Sequence, residues 1–435
     1  MKDLQRSIGL RDLTLGVVGG VIGSGIFLVP GGVLSQSGNS IGVAMMVWIV
    51  GGVLTFLGAL TYGELGAMTP ETGGLYLYLR DAYGFLVAFM YGWALFFAIA
   101  AGAIGVLSSV SADYIAQFLP LGAVGKKVTI LIIIGSLTWL NVRGTTLGVG
   151  FMSIATALKV AALLFLIVAL PLAKGFGNLE TSLWPDRWDA DVFQAFGAAM
   201  LMVLFAYEGW QFSTFISGEV VNPQRNLPLG LALGTLILLL IYVFANIAYL
   251  SALGVDGVAG TTTVAADAVS TVFGTGPAAL ITIPIIISMI SAAHFVILSS
   301  ARVYFAMARD GVFFRRLGVI HPRFNTPAFA LVVGSLAGAT LAMLGTVQQL
   351  LSYVVFIGWI FYGLGAMSLI VFRRTRPDVH RPFRVPAYPI APLLFAFAAL
   401  ALVINTIFTQ SPKETILGLG LVALGLPAYA AWRRG

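Results

Sequence analysis

The chain has 435 residues, of which 59% are hydrophobic and only 9% are charged. A soluble domain carries about 25% charged residues, so this composition excludes a soluble globular enzyme. The chain contains no cysteine, which excludes disulfide bonds, thiolate metal sites and cysteine nucleophiles.

Long apolar segments predict an all-α integral membrane protein. A bilayer core about 30 Å thick needs roughly 20 apolar residues per helix, and the weak alternation within the segments argues against an outer-membrane barrel. No cleavable signal peptide is expected, because the first apolar run is too long for the core of one. We predict twelve transmembrane helices, at 12–37, 41–67, 84–117, 127–144, 148–173, 193–220, 228–254, 277–306, 327–346, 349–372, 388–409 and 413–432.

The net charge of +7 would suit a nucleic-acid or lipid partner, but the positions of the Lys and Arg residues along the chain indicate the orientation of the protein in a membrane instead. With the N-terminus inside, eighteen of the 24 Lys and Arg residues fall in inner segments, five fall in outer segments, and Lys159 lies within a span. This bias predicts cytoplasmic N- and C-termini in the inner (plasma) membrane. We therefore expect membrane lipid as a partner and no nucleic acid, and we interpret the basic segment 373–389 as a solvated connector held against lipid headgroups.

The first span carries a glycine-rich stretch, "GVIGSGIF", at residues 20–27. Irregular backbone at membrane depth is tolerated only where it is buried in protein or faces a watery cavity. A break here would expose N–H groups that suit an anion such as a carboxylate. The same glycines would equally allow close packing of helices, and spacing alone favours neither interpretation.

A second weak point lies in the sixth span, where Glu208 precedes Gly209. A charge at mid-membrane costs roughly 2.5–3.5 kcal/mol, so Glu208 should face a cavity or a partner. Weak points in the first and sixth spans match two inverted five-helix repeats with a site at the midplane. The pair favours a break, in which Gly23 and Gly25 free the backbone around Ser24. The remaining glycines are expected to serve packing: Gly16, Gly19 and Gly20.

Two further polar residues lie inside spans. Lys159, in the fifth, could replace a bound cation, neutralise a carboxylate or carry a coupled proton. His294, in the eighth, either takes part in the function or simply hydrogen-bonds a neighbour.

Six motifs in this order cover nearly the whole chain: "GVIGSGIF", "YGELGAMTPETGGLYLYLRDAYG" (62–84), "FAYEGW" (205–210), "GEVVNPQRNLP" (218–228), "ARDGVFF" (308–314) and "HRPFRVPAYPIAP" (380–392). Together they resemble the amino acid–polyamine–organocation (APC) transporter superfamily, and within it the L-amino acid transporter branch, whose bacterial members exchange small neutral amino acids. The resemblance implies a LeuT-type fold with a 5+5 inverted repeat and discontinuous helices 1 and 6. It divides the chain into a first repeat (1–175), a second repeat (176–376) and two peripheral helices (377–435).

The resemblance also implies a substrate site. The substrate carboxylate would bind backbone N–H groups and one hydroxyl at Gly23, Ser24, Gly25 and Ile26. The α-ammonium would bind backbone carbonyls at Phe205, Ala206 and Tyr207. Tyr207 would also close over the substrate as a gate, and Trp359 would line the side-chain pocket. Lys159 matches a fifth-helix lysine that supports the broken first helix, and no cofactor or metal is implied.

The sequence departs from the family pattern at three points. His294 stands where animal relatives carry asparagine, which leaves its assignment to coupling or gating open. Glu208 stands where aspartate or a small residue is expected. Because cysteine is absent, no disulfide-linked heavy subunit is expected.

These features predict a secondary active transporter of small neutral L-amino acids, working by exchange or proton coupling with alternating access. Glu208 gives the alternative of a cationic amino acid or polyamine substrate, whose distal amine would pair with it. A channel is disfavoured because no filter-like or acidic-ring motif is present. An intramembrane enzyme using Ser24 and His294 lacks any accompanying nucleophile-elbow or metal-ligand spacing.

Overall fold

The computed structural model describes residues 4–179, 183–185, 187–409 and 412–434. The predicted first repeat begins at residue 1 and the predicted peripheral helices end at residue 435, and both of these residues lie outside the described part of the chain. The described residues are almost entirely helical, with one isolated β-bridge between Ile8 and Val220. The α-helices are α1 (Leu10–Val21), α2 (Gly25–Gln36), α3 (Ile41–Met68), α4 (Leu75–Tyr83), α5 (Phe85–Ala94), α6 (Ala100–Ile115), α7 (Ala123–Arg143), α8 (Thr145–Lys174), α9 (Ala190–Ala206), α10 (Pro223–Ala259), α11 (Val264–Phe273), α12 (Thr275–Arg309), α13 (Ala328–Leu344), α14 (Val347–Thr375), α15 (Ile390–Thr409), α16 (Pro412–Ala423) and α17 (Gly425–Arg434).

Nine helical segments of the described chain are long and apolar enough to cross a membrane, or ten if α1 and α2 form one bent span. These ten coincide with ten of the predicted spans. The ninth and twelfth predicted spans coincide with shorter apolar helices, Ala328–Leu344 and Ile416–Trp432. Apart from the single β-bridge, the described part of the chain is therefore helical, with the long apolar helices of a multi-pass membrane protein.

The first span is broken between α1 and α2, whose axes differ by 47°. Ile22 leaves the helical region with φ −68° and ψ 87°, and the Gly23 N–H donates to the Val21 carbonyl at 2.7 Å in a tight turn. The break lies where the sequence predicted it.

The second break follows α9, which ends at Ala206. The chain turns through Tyr207 to Gly209 and continues as the 3₁₀ segment Trp210–Glu219. Gly209 has φ +123°, a conformation that favours glycine. A Cβ atom there would also lie 2.5 Å from the Gly20 carbonyl oxygen. The two breaks therefore touch each other through glycines, and neither could approach so closely with a side chain between them.

One end of the bundle, which carries Arg80 and Arg302 and which we call the arginine-rich end, is closed by contacts around Glu219. The N–H groups of Ser7 and Ile8 donate to its carbonyl oxygen at 2.9 Å. Its carboxylate accepts from Arg302 Nε at 2.7 Å, and both side chains are buried. Close by, Arg80 pairs with Asp310 at 2.9 Å. These contacts bind the N-terminal segment, the 3₁₀ segment, α4 and the end of α12 to one another.

Candidate functional site

A small cavity of about 70 Å³ lies where the two breaks meet. Both breaks and three neighbouring helices, α6, α12 and α14, contribute to its wall. The lining residues are Gly20, Val21, Gly23, Ser24, Gly25, Ala103, Val106, Leu107, Phe205, Ala206, Glu208, Gly209, Phe212, Ala292, Val296, Leu351 and Val354. Apart from Ser24, Glu208 and the exposed backbone, the wall is apolar.

The start of α2 forms one polar end of this cavity. The N–H groups of Phe27 and Leu28 both donate to the Ser24 carbonyl at 3.1 Å, which closes the first turn. Those of Ser24, Gly25 and Ile26 have no backbone acceptor in the described part of the chain. Free N–H groups at a helix N-terminus favour an anion. Ile26 does not line the cavity, and its side chain is buried in the protein.

Gly25 lies against α9. A Cβ at this position would lie 2.9 Å from both Cα and Cβ of Ala206. Neither Gly23 nor Gly25 has a positive φ, so the expectation that they free the backbone around Ser24 is wrong. Gly25 instead allows the start of α2 to touch the end of α9, which brings the N–H groups close to the carbonyls of the second break.

The end of α9 provides a second polar group beside the first, because Gly25 lies directly against Ala206. The Phe205 carbonyl accepts from the Glu208 N–H at 3.0 Å, and the Ala206 carbonyl accepts from the Tyr242 hydroxyl at 3.1 Å. Each carbonyl oxygen has a second lone pair available. The Phe205 and Ala206 carbonyls thus offer acceptors that suit an ammonium, whereas Tyr207 does not line the cavity.

The Tyr207 side chain lies outside the cavity. Its hydroxyl donates to the Trp48 carbonyl at 3.3 Å, and its ring lies 4.9 Å from that of Tyr242, centroid to centroid. Phe205, in contrast, lines both this cavity and a larger one. The aromatic ring at the mouth is thus that of Phe205, two residues before the predicted gate.

The larger cavity, which we call the vestibule, has a volume of about 600 Å³. It shares Ser24, Val106, Phe205 and Leu351 with the small cavity and extends to Gln117. The 31-residue span Phe85–Ile115 separates Gln117 from the Arg80 end of the bundle. The small cavity is therefore reached from the end opposite the arginine-rich one.

Glu208 lines the small cavity and is partly exposed to it. Its Oε1 accepts from Gln211 Nε2 at 2.5 Å, and the Oε1 of Gln211 accepts from the Gly209 N–H at 3.2 Å. Among the described residues, Glu208 has no Lys, Arg or His partner in an ion pair. Besides Gln211, Tyr362 and Trp359 of α14 lie next to the carboxyl group, but no cation of the described part of the protein pairs with it.

Lys159 lies beneath the first break and is completely buried. Its Nζ donates to the carbonyl oxygens of Gly19 at 2.7 Å and Ile22 at 2.6 Å, and to Ser291 Oγ at 2.8 Å. The Ser288 hydroxyl also donates to the Ile22 carbonyl, at 2.8 Å. A helix C-terminus favours positive charge and leaves carbonyls without partners. Lys159 therefore caps the half-helix that the break creates.

His294 faces away from the cavity. Asn141 Nδ2, fixed by the Leu137 carbonyl, donates to Nδ1 of the ring at 3.1 Å. Nε2 then carries the hydrogen and donates to the Gly148 carbonyl at 2.8 Å. Both ring nitrogens are occupied in a neutral imidazole that joins α12 to α7 and α8.

Trp359 is also absent from the cavity wall. Its ring packs 5.6 Å from that of Phe395, and it lines a separate groove between α14 and α15. On α14, Leu351 and Val354 line the cavity instead.

Sequence reasoning missed the contribution of α6. Ala103, Val106 and Leu107 line the cavity at spacings of three and four residues. Any apolar helix face has this spacing, so it carried no signal that separates a binding surface from core packing.

Comparison with known proteins agrees with this architecture. The family model for amino acid permeases matches residues 8–424. The serine/threonine exchanger SteT of Bacillus subtilis is 32% identical over 99% of this chain and 98% of its own. The large neutral amino acids transporter small subunit 2 of Rattus norvegicus is 32% identical, over 98% of this chain and 80% of its own. The Asc-type amino acid transporter 1 of Mus musculus is 30% identical, with coverage of 98% and 81%. The chain belongs to the amino acid permease family.

Proposed function

We propose that this protein exchanges small neutral L-amino acids across the inner membrane by alternating access. The observation that carries the proposal is the small cavity, which offers N–H groups and, next to them, carbonyl oxygens, with apolar side chains lining the remainder of the wall. These are the partners of a carboxylate, an α-ammonium and a short side chain. By their names, one relative exchanges serine and threonine, and another transports large neutral amino acids.

In this proposal the substrate carboxylate lies against the N–H groups of Ser24, Gly25 and Ile26 and the Ser24 hydroxyl. The α-ammonium lies against the carbonyls that end α9. The cavity is small, and the side chains that line it are largely apolar, which suits a short side chain such as that of alanine, serine or threonine.

The path to the site supports alternating access. The vestibule reaches the cavity past Phe205, while the Glu219–Arg302 and Arg80–Asp310 pairs close the other end. We infer that the structure is open to the outside, that Phe205 closes over the substrate, and that these ion pairs separate on the inside.

The wider architecture follows from the same inference. We assign twelve spans to a LeuT-type fold with repeats at 1–175 and 176–376, two peripheral helices at 377–435, and both termini in the cytoplasm. Lys159 takes the place of a bound cation beneath the first break. Without cysteine, the chain works without a disulfide-linked subunit.

Glu208 supports a second candidate, a cationic amino acid or polyamine. Its carboxyl lines the cavity without a cation of the protein beside it, so the distal amine of such a substrate could pair with it. The relatives' names give serine, threonine and neutral amino acids, and we therefore favour the neutral substrate.

Counterflow in proteoliposomes loaded with unlabelled alanine separates the candidates. We expect serine, threonine and unlabelled alanine to compete with labelled alanine, whereas arginine and putrescine should not. Glu208→Gln should keep alanine exchange within a few-fold, because an amide oxygen can still accept from Gln211. Stronger competition by arginine or putrescine, lost in Glu208→Gln, would establish the cationic substrate. If no amino acid drove counterflow, the transporter proposal itself would fail.

A further inference from the structure

A groove of about 490 Å³ runs between α14 and α15, on the outer surface of the bundle. Small residues form its floor at Gly363, Ala396 and Ala399, and a Cβ at position 363 would lie 3.1 Å from that of Ala399. Phe397 and Leu400 form its walls and are 69% and 56% exposed. The groove is apolar along its length, lies on two helices that pass as membrane spans, and ends in the interior at Trp359.

One cationic side chain continues the groove towards the arginine-rich end. Arg374 follows Met367 by seven residues, Gly363 by eleven and Ile360 by fourteen on one unbroken helix. At about 100° per residue, all three groove residues lie within about 40° of the Arg374 direction. Arg374 is thus on the groove face of α14, about 10 Å beyond Met367 along the axis.

The neighbouring arginines are engaged inside the protein, but Arg374 is not. Arg373 donates to Glu64 at 2.7 Å, and Arg376 pairs with Asp81 at 3.2 Å. Arg381 donates to the carbonyls of Val379 and Arg376 at 2.8 Å. Arg374 and Arg384 are exposed and make no hydrogen bond or ion pair within the described residues.

We propose that this groove is a binding site for an anionic phospholipid. One acyl chain occupies the groove, and the phosphate lies at its arginine-rich end, on Arg374 with Arg384 of the α14–α15 connection beside it. Basic sites between helices on the cytoplasmic side suit anionic headgroups. The net negative charge of the lipid decides the preference, because a zwitterionic lipid brings the same acyl chain but a compensating cation. The proposal sharpens the sequence-based interpretation of 373–389: part of that segment is fastened to Glu64 and Asp81, and two arginines remain for lipid.

Trp359 provides a reporter, because it lines the inner end of the groove. The protein is reconstituted into vesicles of phosphatidylcholine containing either dibrominated phosphatidylglycerol or dibrominated phosphatidylcholine, whose bromines quench tryptophan. Subtracting the signal of Trp359→Phe isolates this residue from the other seven tryptophans. We expect half of the Trp359 fluorescence to be quenched at a several-fold lower mole fraction of dibrominated phosphatidylglycerol than of dibrominated phosphatidylcholine. Added inorganic phosphate should leave this quenching unchanged.

The double variant Arg374→Ala/Arg384→Ala should remove this several-fold preference. The matched control is Arg315→Ala/Arg316→Ala, which removes two exposed arginines that follow α12; it should keep the preference. Equal quenching by both lipids, or equal loss in the two double variants, would overturn the proposal in favour of general surface charge. Relief of quenching by inorganic phosphate, or by raising the protein-to-lipid ratio, would overturn it in favour of a free-anion site or self-association.

Discussion

Lys159→Ala should reduce amino acid exchange by more than ten-fold while leaving a protein that still inserts and purifies. The Lys159 ammonium donates to the Gly19 and Ile22 carbonyls at 2.7 and 2.6 Å, at the point where α1 ends. Alanine leaves both carbonyls buried without this donor, at a cost of about 1–3 kcal/mol for each one that stays unsatisfied. The half-helix next to the site would shift to recover partners, and the N–H groups of the break would lose their position.

Exchange in proteoliposomes measures the loss, and thermal unfolding of the purified protein measures the damage to the fold. Ser288→Ala is the matched control, because it removes one hydroxyl donor to the same Ile22 carbonyl but no charge. It should reduce exchange only a few-fold. Unchanged exchange in Lys159→Ala would remove the residue from the mechanism.

The charge of Lys159 makes a further distinction possible. Its ammonium lies among carbonyl oxygens, and a sodium ion beside it would be repelled. Replacing sodium with choline in the assay buffer should therefore leave exchange by the natural protein unchanged. A requirement for sodium would show that the ammonium does not substitute for a cation at this break.

The positions of both breaks could be predicted because their signals are local. Glycines around Ser24 and an ionisable residue before Gly209 are costly at membrane depth, so their presence implies a purpose. The role of Gly25 could not be predicted, since it depends on contact with Ala206, about 180 residues further along the chain.

The side chains around the site were harder to assign for the same reason. The Tyr207 side chain lies outside the cavity because another helix offers it a partner, the Trp48 carbonyl. Trp359 packs against Phe395 and lies behind the cavity wall, next to Glu208. His294 is held by Asn141 and Gly148 of two distant helices. Sequence shows that a residue is polar or aromatic inside a span, but the facing element decides whether it meets substrate or protein.

Gly25→Val should abolish substrate binding. A Cβ at position 25 would already lie 2.9 Å from the backbone of Ala206, which cannot move aside as a side chain can. Valine adds two methyl groups to this clash, so the start of α2 must separate from the end of α9. The donors for the carboxylate and the acceptors for the ammonium would then lie too far apart for one small amino acid to reach both.

Gly16→Ala is the matched control in the same broken span. Its new methyl group would meet Met152 Cε at 3.2 Å, the far end of a flexible side chain that can give way. Alanine is also the better helix former by about 1 kcal/mol. Binding is measured as the rise in melting temperature on adding alanine or serine, together with labelled-substrate binding. We expect Gly16→Ala to keep most of both signals and Gly25→Val to lose both. Equal effects at the two positions would mean that the glycines serve helix packing alone, since only a substrate site at the break makes position 25 special.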